Sequence, residues 1–335
     1  MANLNIKNNL IGESETFHEL LGHLSKVAGL SRTVLVIGER GSGKELVAER
    51  IHYLSKRWDR PYIKLNCAAL SDELLESELF GHEVGAFTGA VKQRRGRFEL
   101  ANGGTLFLDE LANTSLRLQE KILRVVEYGE FERVGGDETR YTDVRIIAAT
   151  NVDLPSRVLE GKFKADLLDR LAFDALTIPP LRRREGDIML LSNYFAVRMV
   201  RELGGDLFPG FSENASRILE VYDWPGNVRE LKNVIERAVY RSWPFKGEID
   251  RIETDPFDSP YRPVEKKEER QIVKETKEVP GLKERFSFKR EVNVFQKKLL
   301  EDALERNQYH QKKTAGLLGL TYNQFRGLMR KHGLV

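Results

Sequence analysis

The run Val34 to Glu45, "VLVIGERGSGKE", leaves this chain few folds to choose from. An apolar segment stops at Gly38, a turn carrying Gly41 and Gly43 follows, and Lys44 opens an amphipathic stretch, "KELVAERIHYLSKR". Gly38, Gly41, Gly43 and Lys44 fit G-x-x-x-x-G-K in the strand–loop–helix setting that gives the pattern its meaning. Glycines there let backbone N–H groups point at phosphate oxygens, the helix N-terminus adds positive potential, and the lysine neutralises phosphate charge. Glu39, Arg40 and Ser42 fill the rest of the loop, and Glu45 stands where a Mg²⁺-binding Ser or Thr ordinarily follows the lysine. The competing reading is a chance glycine turn before a helix.

A strand ending in such a loop needs partners, and three further runs supply them. "YIKLNC" (62–67), "GTLFLDE" (104–110) and "VRIIAATN" (144–151), like "TVLVIG" (33–38), are continuous apolar runs without a period of two. Strands of a parallel sheet covered on both faces read this way. Amphipathic stretches such as "SLRLQEKILRVVEYGE" lie between them, so the expected fold is α/β, a doubly wound parallel sheet. From about residue 178 the strands give way to helical patterns. Expected boundaries are an α/β subdomain over 1–176, a helical subdomain over 177–250, a charged, proline-bearing linker over 251–290 and a helical unit over 291–335. With 41% hydrophobic and 31% charged residues the chain can bury a sizeable core. No apolar run approaches the ~18 residues of a membrane span, and no basic-then-apolar leader opens the chain. The single cysteine, Cys67, lies in the apolar "YIKLNCAAL", which suits a buried thiol better than a nucleophile and places the protein in the cytoplasm.

The run at 104–110 delivers Asp109 and Glu110 to the carboxyl end of its strand, where open α/β sheets bind ligands. Asp109 is the candidate Mg²⁺ ligand and Glu110 the candidate base for the attacking water of nucleotide hydrolysis. A charge at a helix N-terminus is the bland alternative for the pair. Thr150 and Asn151, ending another strand, are able to reach the terminal phosphate or the water, or else form an ordinary strand cap. Asn66 ends "IKLN" and is either a hydrogen-bond partner of Glu110 or a simple buried amide.

Two segments remain outside this site. "ELFGHEVGAFTGA" (78–90) carries Phe87 and Thr88 between Gly85-Ala86 and Gly89-Ala90 and reads as neither core strand nor amphipathic helix. At the other end, residues 307–335 hold five Lys or Arg and no Asp or Glu although the whole chain is only +3, which suggests a polyanionic partner. "TYNQ" (321–324) is a capping box, Thr321 to Gln324, opening a helix to about 331. Leu317, Leu320, Phe325 and Leu328 are its expected small core. Lys312, Lys313, Tyr322, Asn323, Arg326 and Arg330, with Thr321 and Gln324, are the candidate contacts to double-stranded DNA. A protein-binding three-helix module would share that core. The helix over 293–306 is a candidate dimer interface for a two-fold DNA site.

With "GERGSGKE", "ELFGHEVGAFTGA", "GGTLFLDE", "LLDRLAF" and "WPGNVREL" in this order, the chain resembles the bacterial enhancer-binding activators of sigma-54 RNA polymerase, which are AAA+ P-loop ATPases with a helical lid and a Fis-type helix-turn-helix. The resemblance covers nearly the whole chain. It implies that Gly85, Ala86, Phe87, Thr88, Gly89 and Ala90 form a moving contact with sigma-54, supported by a second loop at Arg133–Gly136. It further implies that Lys44 binds phosphate, Asp109 the Mg²⁺, Glu110 is the base, Asn66 the switch paired with it, and Arg229 the lid's sensor arginine, with Pro225-Gly226 turning and Asn227 capping its helix. Glu45 matches the family. Of two neighbour-facing cations Arg170 is retained, while Lys164 replaces an arginine and loses its planar fork. A hexameric ring is implied, as is control by a separate inhibitory protein, since no sensor domain precedes the phosphate loop; Trp58 is a possible docking point or a half-buried helix-end residue. A translocating unfoldase or helicase loader would instead show an aromatic–aliphatic pore loop without paired Gly-Ala flanks.

Overall fold

The computed structural model describes residues 10–257, 261–262, 288–307 and 310–334. The chain divides into two units, residues 1–259 and 260–335. The first contains α1 (Glu15–Ala28), β1 (Val34–Ile37), α2 (Lys44–Tyr53), β2 (Tyr62–Asn66), α3 (Asp72–Phe80), β3 (Gly81–His82), β4 (Arg94–Arg95), α4 (Arg97–Leu100), β5 (Thr105–Asp109), α5 (Leu116–Tyr128), β6 (Glu130–Phe131), β7 (Arg140–Tyr141), β8 (Arg145–Thr150), α6 (Leu154–Leu159), α7 (Ala165–Leu171), β9 (Ala175–Thr177), α8 (Asp187–Glu202), α9 (Glu213–Val221) and α10 (Asn227–Ser242).

Five parallel strands form one sheet in the order β2-β5-β8-β1-β9. β8 is buried along its whole length because it sits at the centre with helices over both faces. One face carries Leu65, Leu106, Leu108, Ile146 and Ala148 against α3, α5 and α7; the other carries Val34, Val36, Phe107 and Ile147 against α1 and α2. That two-sided burial is why the strands read as continuous apolar runs. Two departures follow from sheet position. β2 was expected to be covered on both faces, yet Lys64 and Asn66 are exposed because it is an edge strand. The opposite edge, β9, was missed: a three-residue "ALT" carries too little pattern to be seen.

After β9 the chain enters a helical layer in which α8 and α10 pack together around Leu191, Phe195, Leu231, Ile235 and Val239. Trp224 is wholly buried there and donates its indole N–H to the Leu219 carbonyl at 2.8 Å. Asp187, at the start of α8, accepts hydrogen bonds from the Glu13 and Ser14 amides and from Arg184, fastening the segment before α1 to this layer. The expected linker, 251–290, lies mostly outside the described residues.

In the second unit α11 (Phe288–Arg306), α12 (Gln311–Leu317) and α13 (Tyr322–Lys331) enclose Leu300, Leu304, Ala315, Phe325 and Met329. Leu317, expected in this core, is 63% exposed; Leu318 packs in its place, one residue on where α12 ends. The capping box forms as read: Thr321 Oγ1 accepts from the Gln324 amide, and the Gln324 side chain accepts from the Thr321 amide.

Candidate nucleotide site and the loops around it

The glycine-rich turn links the end of β1 to the start of α2, with Gly43 in the left-handed region as the N-cap. Lys44 is buried and folds back over the loop, donating to the Gly38 carbonyl at 3.0 Å and standing 3.5 Å from Glu110 Oε1. Asp109 and Glu110 arrive beside it at the head of β5. Glu110 is itself left-handed, φ 54°, a costly backbone for a non-glycine residue that tends to persist at functional sites. Its amide donates to Asp109 Oδ1 at 3.0 Å. Burial pushes the Asp109 carboxyl up from its ordinary value, the Glu110 carboxylate adding to the effect and Lys44 opposing it.

Two polar atoms in this cleft are buried without a hydrogen-bond partner, Ser42 Oγ and Glu110 Oε2. Such atoms cost free energy unless something bonds to them. Among the described residues no group of three His, Cys, Asp or Glu side chains gathers where a metal could sit. A nucleotide-bound Mg²⁺ needs only one or two protein carboxylates, because phosphates and water fill the other positions. Asp109, at the end of β5, satisfies that requirement.

Other expected residues are arranged differently. Asn66 is exposed, and its side chain accepts from the Ala68 amide at 2.9 Å, so its hydrogen bond goes to the following turn rather than to Glu110 and it is not a buried amide. A strand end at the sheet's edge leaves its amide free to cap the short turn that follows. The Thr150 hydroxyl is buried and accepts from the Val152 amide at 3.2 Å, the ordinary strand cap, while its carbonyl accepts from the Gly38 amide. Asn151 and Arg40 are exposed. Glu45 turns away from the loop to pair with Lys64 at 2.9 Å. Cys67 is buried and its thiol is pushed up to about 12, chiefly by burial, which removes it as a nucleophile. On the surface, Arg170 pairs with Glu127 and Lys164 with Glu120, both glutamates on α5.

The helical layer reaches this loop through the start of α10. The Arg229 amide donates to the Gly41 carbonyl at 3.3 Å while its side chain is exposed. Glu39 is gripped by Arg182 and by Asn227, which hold its carboxyl down at about 2. Asn227 is therefore not the cap expected of it: Gly226 occupies the cap position, and the Gly226 amide donates to Glu230. Sequence reading missed Arg182 and this role of Asn227 because their partner lies across the fold.

The loop with Phe87 rises from β3. Glu78 to Phe80, expected to be irregular, are the last turn of α3, and Phe80 is core, so the irregular part is shorter than the pattern suggested. Above that base the Gly85 amide donates to the Ala90 carbonyl at 2.9 Å, Ala90 is buried, and Thr88 is exposed. Phe87 is 42% exposed, its ring lying edge-on to the His82 ring with the two centroids 5.0 Å apart. The base is held by the neighbouring loop at 133–136. Arg133 is buried and donates to Glu99 at 2.8 and 2.7 Å and to Glu83 at 2.9 Å, and the Glu83 amide donates to the Val134 carbonyl. In the second unit Lys312, Lys313, Tyr322, Asn323, Arg326 and Arg330 are all exposed on α12 and α13.

A parallel sheet with a phosphate loop, an acid pair at the neighbouring strand's head and a helical lid defines a P-loop protein of the AAA+ class. Residues 10–177 match the sigma-54 interaction domain, 182–270 the AAA+ ATPase lid domain and 292–332 the Fis family of bacterial regulatory proteins. The Psp operon transcriptional activator of Escherichia coli strain K12 is 55% identical over 97% of this chain and 98% of its own length. The Nif-specific regulatory protein of Azotobacter vinelandii is 52% identical over 70% of this chain, which spans 45% of that protein. Crystal structures of NtrX from Brucella abortus, one in complex with ADP and one with ATP, superpose with a TM-score of 0.69 at 28% identity, covering 98% and 97% of this chain and 69% of theirs. The chain belongs to the sigma-54-dependent transcriptional activators and ends in a Fis-family helix-turn-helix. Among the described residues no helix is long and apolar enough to cross a membrane.

Proposed function

We propose that the chain binds and hydrolyses ATP and uses the energy to remodel the closed complex of sigma-54 RNA polymerase at its promoter. The observation that carries this reading is the pairing of Lys44 with Glu110, whose second oxygen is buried and unpartnered at the head of β5. That oxygen is where a base would take the proton of the attacking water. Backbone amides of the phosphate loop and Lys44 hold the triphosphate, Ser42 Oγ is available to it, and Asp109 would hold Mg²⁺, which neutralises phosphate charge when bound. Arg229, on the lid, senses the nucleotide. Arg170, with Lys164 as a weaker partner, reaches a neighbouring subunit's site in a hexameric ring. Asn66, Thr150 and Asn151 act in this scheme only after leaving the local bonds described above.

Changes at the terminal phosphate reach Phe87 and Thr88, which grip sigma-54. A half-exposed phenylalanine on a loop whose base is pinned by Arg133 suits that task, since a partner would bury the remaining ring. Residues 291–335 bind upstream enhancer DNA as a dimer through the exposed cations of α12 and α13. By its likeness to the Psp operon activator, the target is an operon of the phage-shock, membrane-stress response, in the cytoplasm. A separate inhibitory protein restrains the chain, and Trp58, 63% exposed beside exposed Tyr53 and Leu54, is its docking point.

The test is transcription from a sigma-54 promoter with ATP or a non-hydrolysable analogue, with and without sigma-54. Activation should require both hydrolysis and sigma-54; activation by the analogue would refute the reading. Glu110→Gln should retain ATP binding and lower turnover by about 10²–10⁴-fold. Unchanged turnover would remove Glu110 as the base.

A further inference from the structure

Asn227 is wholly buried and left-handed, φ 52°, three residues after Trp224, another left-handed non-glycine residue. Asparagine tolerates that backbone better than most side chains do. Both ends of its amide are committed. Oδ1 accepts from the Leu181 amide at 2.8 Å, and Nδ2 donates to Glu39 Oε2 at 3.0 Å and to the Arg40 carbonyl at 3.2 Å. A backbone amide can only donate, so the orientation is fixed by chemistry. Arg182, one residue beyond Leu181, closes on the same carboxylate with two nitrogens, at 2.8 and 2.5 Å.

Glu39 is thus the point where both lid elements nearest the nucleotide meet the phosphate loop: the turn at Leu181–Arg183 and the start of α10. Two residues further along α10 stands Arg229, whose amide touches Gly41. We propose that Asn227 is a positioning residue for the nucleotide reaction, locking the lid to the phosphate loop through Glu39 and so fixing where Arg229 stands over the phosphates. The inference rests on the reading that the chain hydrolyses ATP.

The test uses hydrogen-bond polarity in the full chain. Asn227→Asp keeps size, the backbone preference and the acceptor for Leu181, but turns the Glu39 side of the bond into two facing carboxylates. Affinity for a fluorescent ATP analogue should fall, and KM for ATP rise, by at least about tenfold, with a smaller change in kcat. Adding Glu39→Gln supplies a donor opposite the new carboxylate and should recover part of the loss, though not the Arg182 pair or the bond to the Arg40 carbonyl, and a residue of merely structural importance would not allow any recovery. If Asn227→Asp does not fold, Arg182→Gln loosens the same lock from the surface and must raise KM in the same direction by a smaller factor. An active wild type beside an unchanged Asn227→Asp or Arg182→Gln, or a Glu39→Gln addition that brings no recovery, would overturn the inference alone. A wild type without ATP turnover would overturn the underlying reading, and this inference with it.

Discussion

The molecule carries two glycine-bracketed loops that each tie a glutamate to an arginine, and their surroundings differ. In the phosphate loop, Glu39 meets Arg182 from the lid, and Gly41 lies so close to the lid that an added Cβ would stand 2.2 Å from the Gly226 carbonyl oxygen. In the loop of Phe87, Glu83 meets Arg133 at the base, but Gly89 has open space around it and is required only by its backbone, φ 107°. One loop is held against the lid at both Glu39 and Gly41. The other is fixed at its foot and free at its tip. A nucleotide site needs the first arrangement, because its donors must already face the phosphates; a contact that reaches for another protein needs the second.

The largest expected effect tests the free tip. Phe87→Ala should abolish activation at a sigma-54 promoter while ATP turnover stays within about twofold of wild type, since the exposed ring packs beside His82 in a loop away from the phosphate loop. Lost hydrolysis would show the tip to be structural and dissolve the contrast. At the fixed loop, Gly41→Ala meets both a carbonyl and a left-handed backbone. Its ATP affinity should fall by at least about 100-fold in a titration with a fluorescent analogue. Normal binding would mean that the lid does not confine this loop. Gly89→Ala meets only the backbone penalty, about 1–2 kcal/mol, so activation should drop by about five- to thirtyfold with ATP affinity unchanged. A change in ATP affinity there would show that the loops are not separable.

The same contrast explains what the sequence disclosed. The phosphate loop, the acid pair and the central strands are legible because each is set by a few consecutive residues and their local pattern. Arg182 and Asn227 were not, since Asn227 reaches a partner 188 residues away and no pattern near it announces Glu39. Asn66 and Thr150 were read as strand-end polar groups, which they are, but strand position does not say which way a side chain turns. In the folded chain each finds a nearer backbone amide. Leu317 shows the limit for helices: two adjacent leucines, 317 and 318, compete for one core position, and the end of α12 decides between them. Phe87 was legible as an oddity, a large apolar residue among small ones, and the half-exposed ring accounts for it.

The smallest effect concerns the glutamate tether itself. Arg182, and then Asn227, hold the Glu39 carboxyl at about 2, below its usual 4.5. A carboxyl depressed on folding contributes stability that is complete above its unfolded value and is lost as pH falls towards its folded one. The tether should therefore be as strong at pH 5 as at pH 7 and weaken only between about 4.5 and about 2. Both partners are partly exposed, so solvent screening limits the contribution to at most about 1 kcal/mol. Comparing thermal unfolding of the wild type with Glu39→Gln at pH 7, 6 and 5 should show one constant small difference. A difference that shrinks between pH 7 and pH 5 would mean that Glu39 is not held by Arg182 and Asn227 in solution, and the lid would then confine the phosphate loop through Gly41 alone.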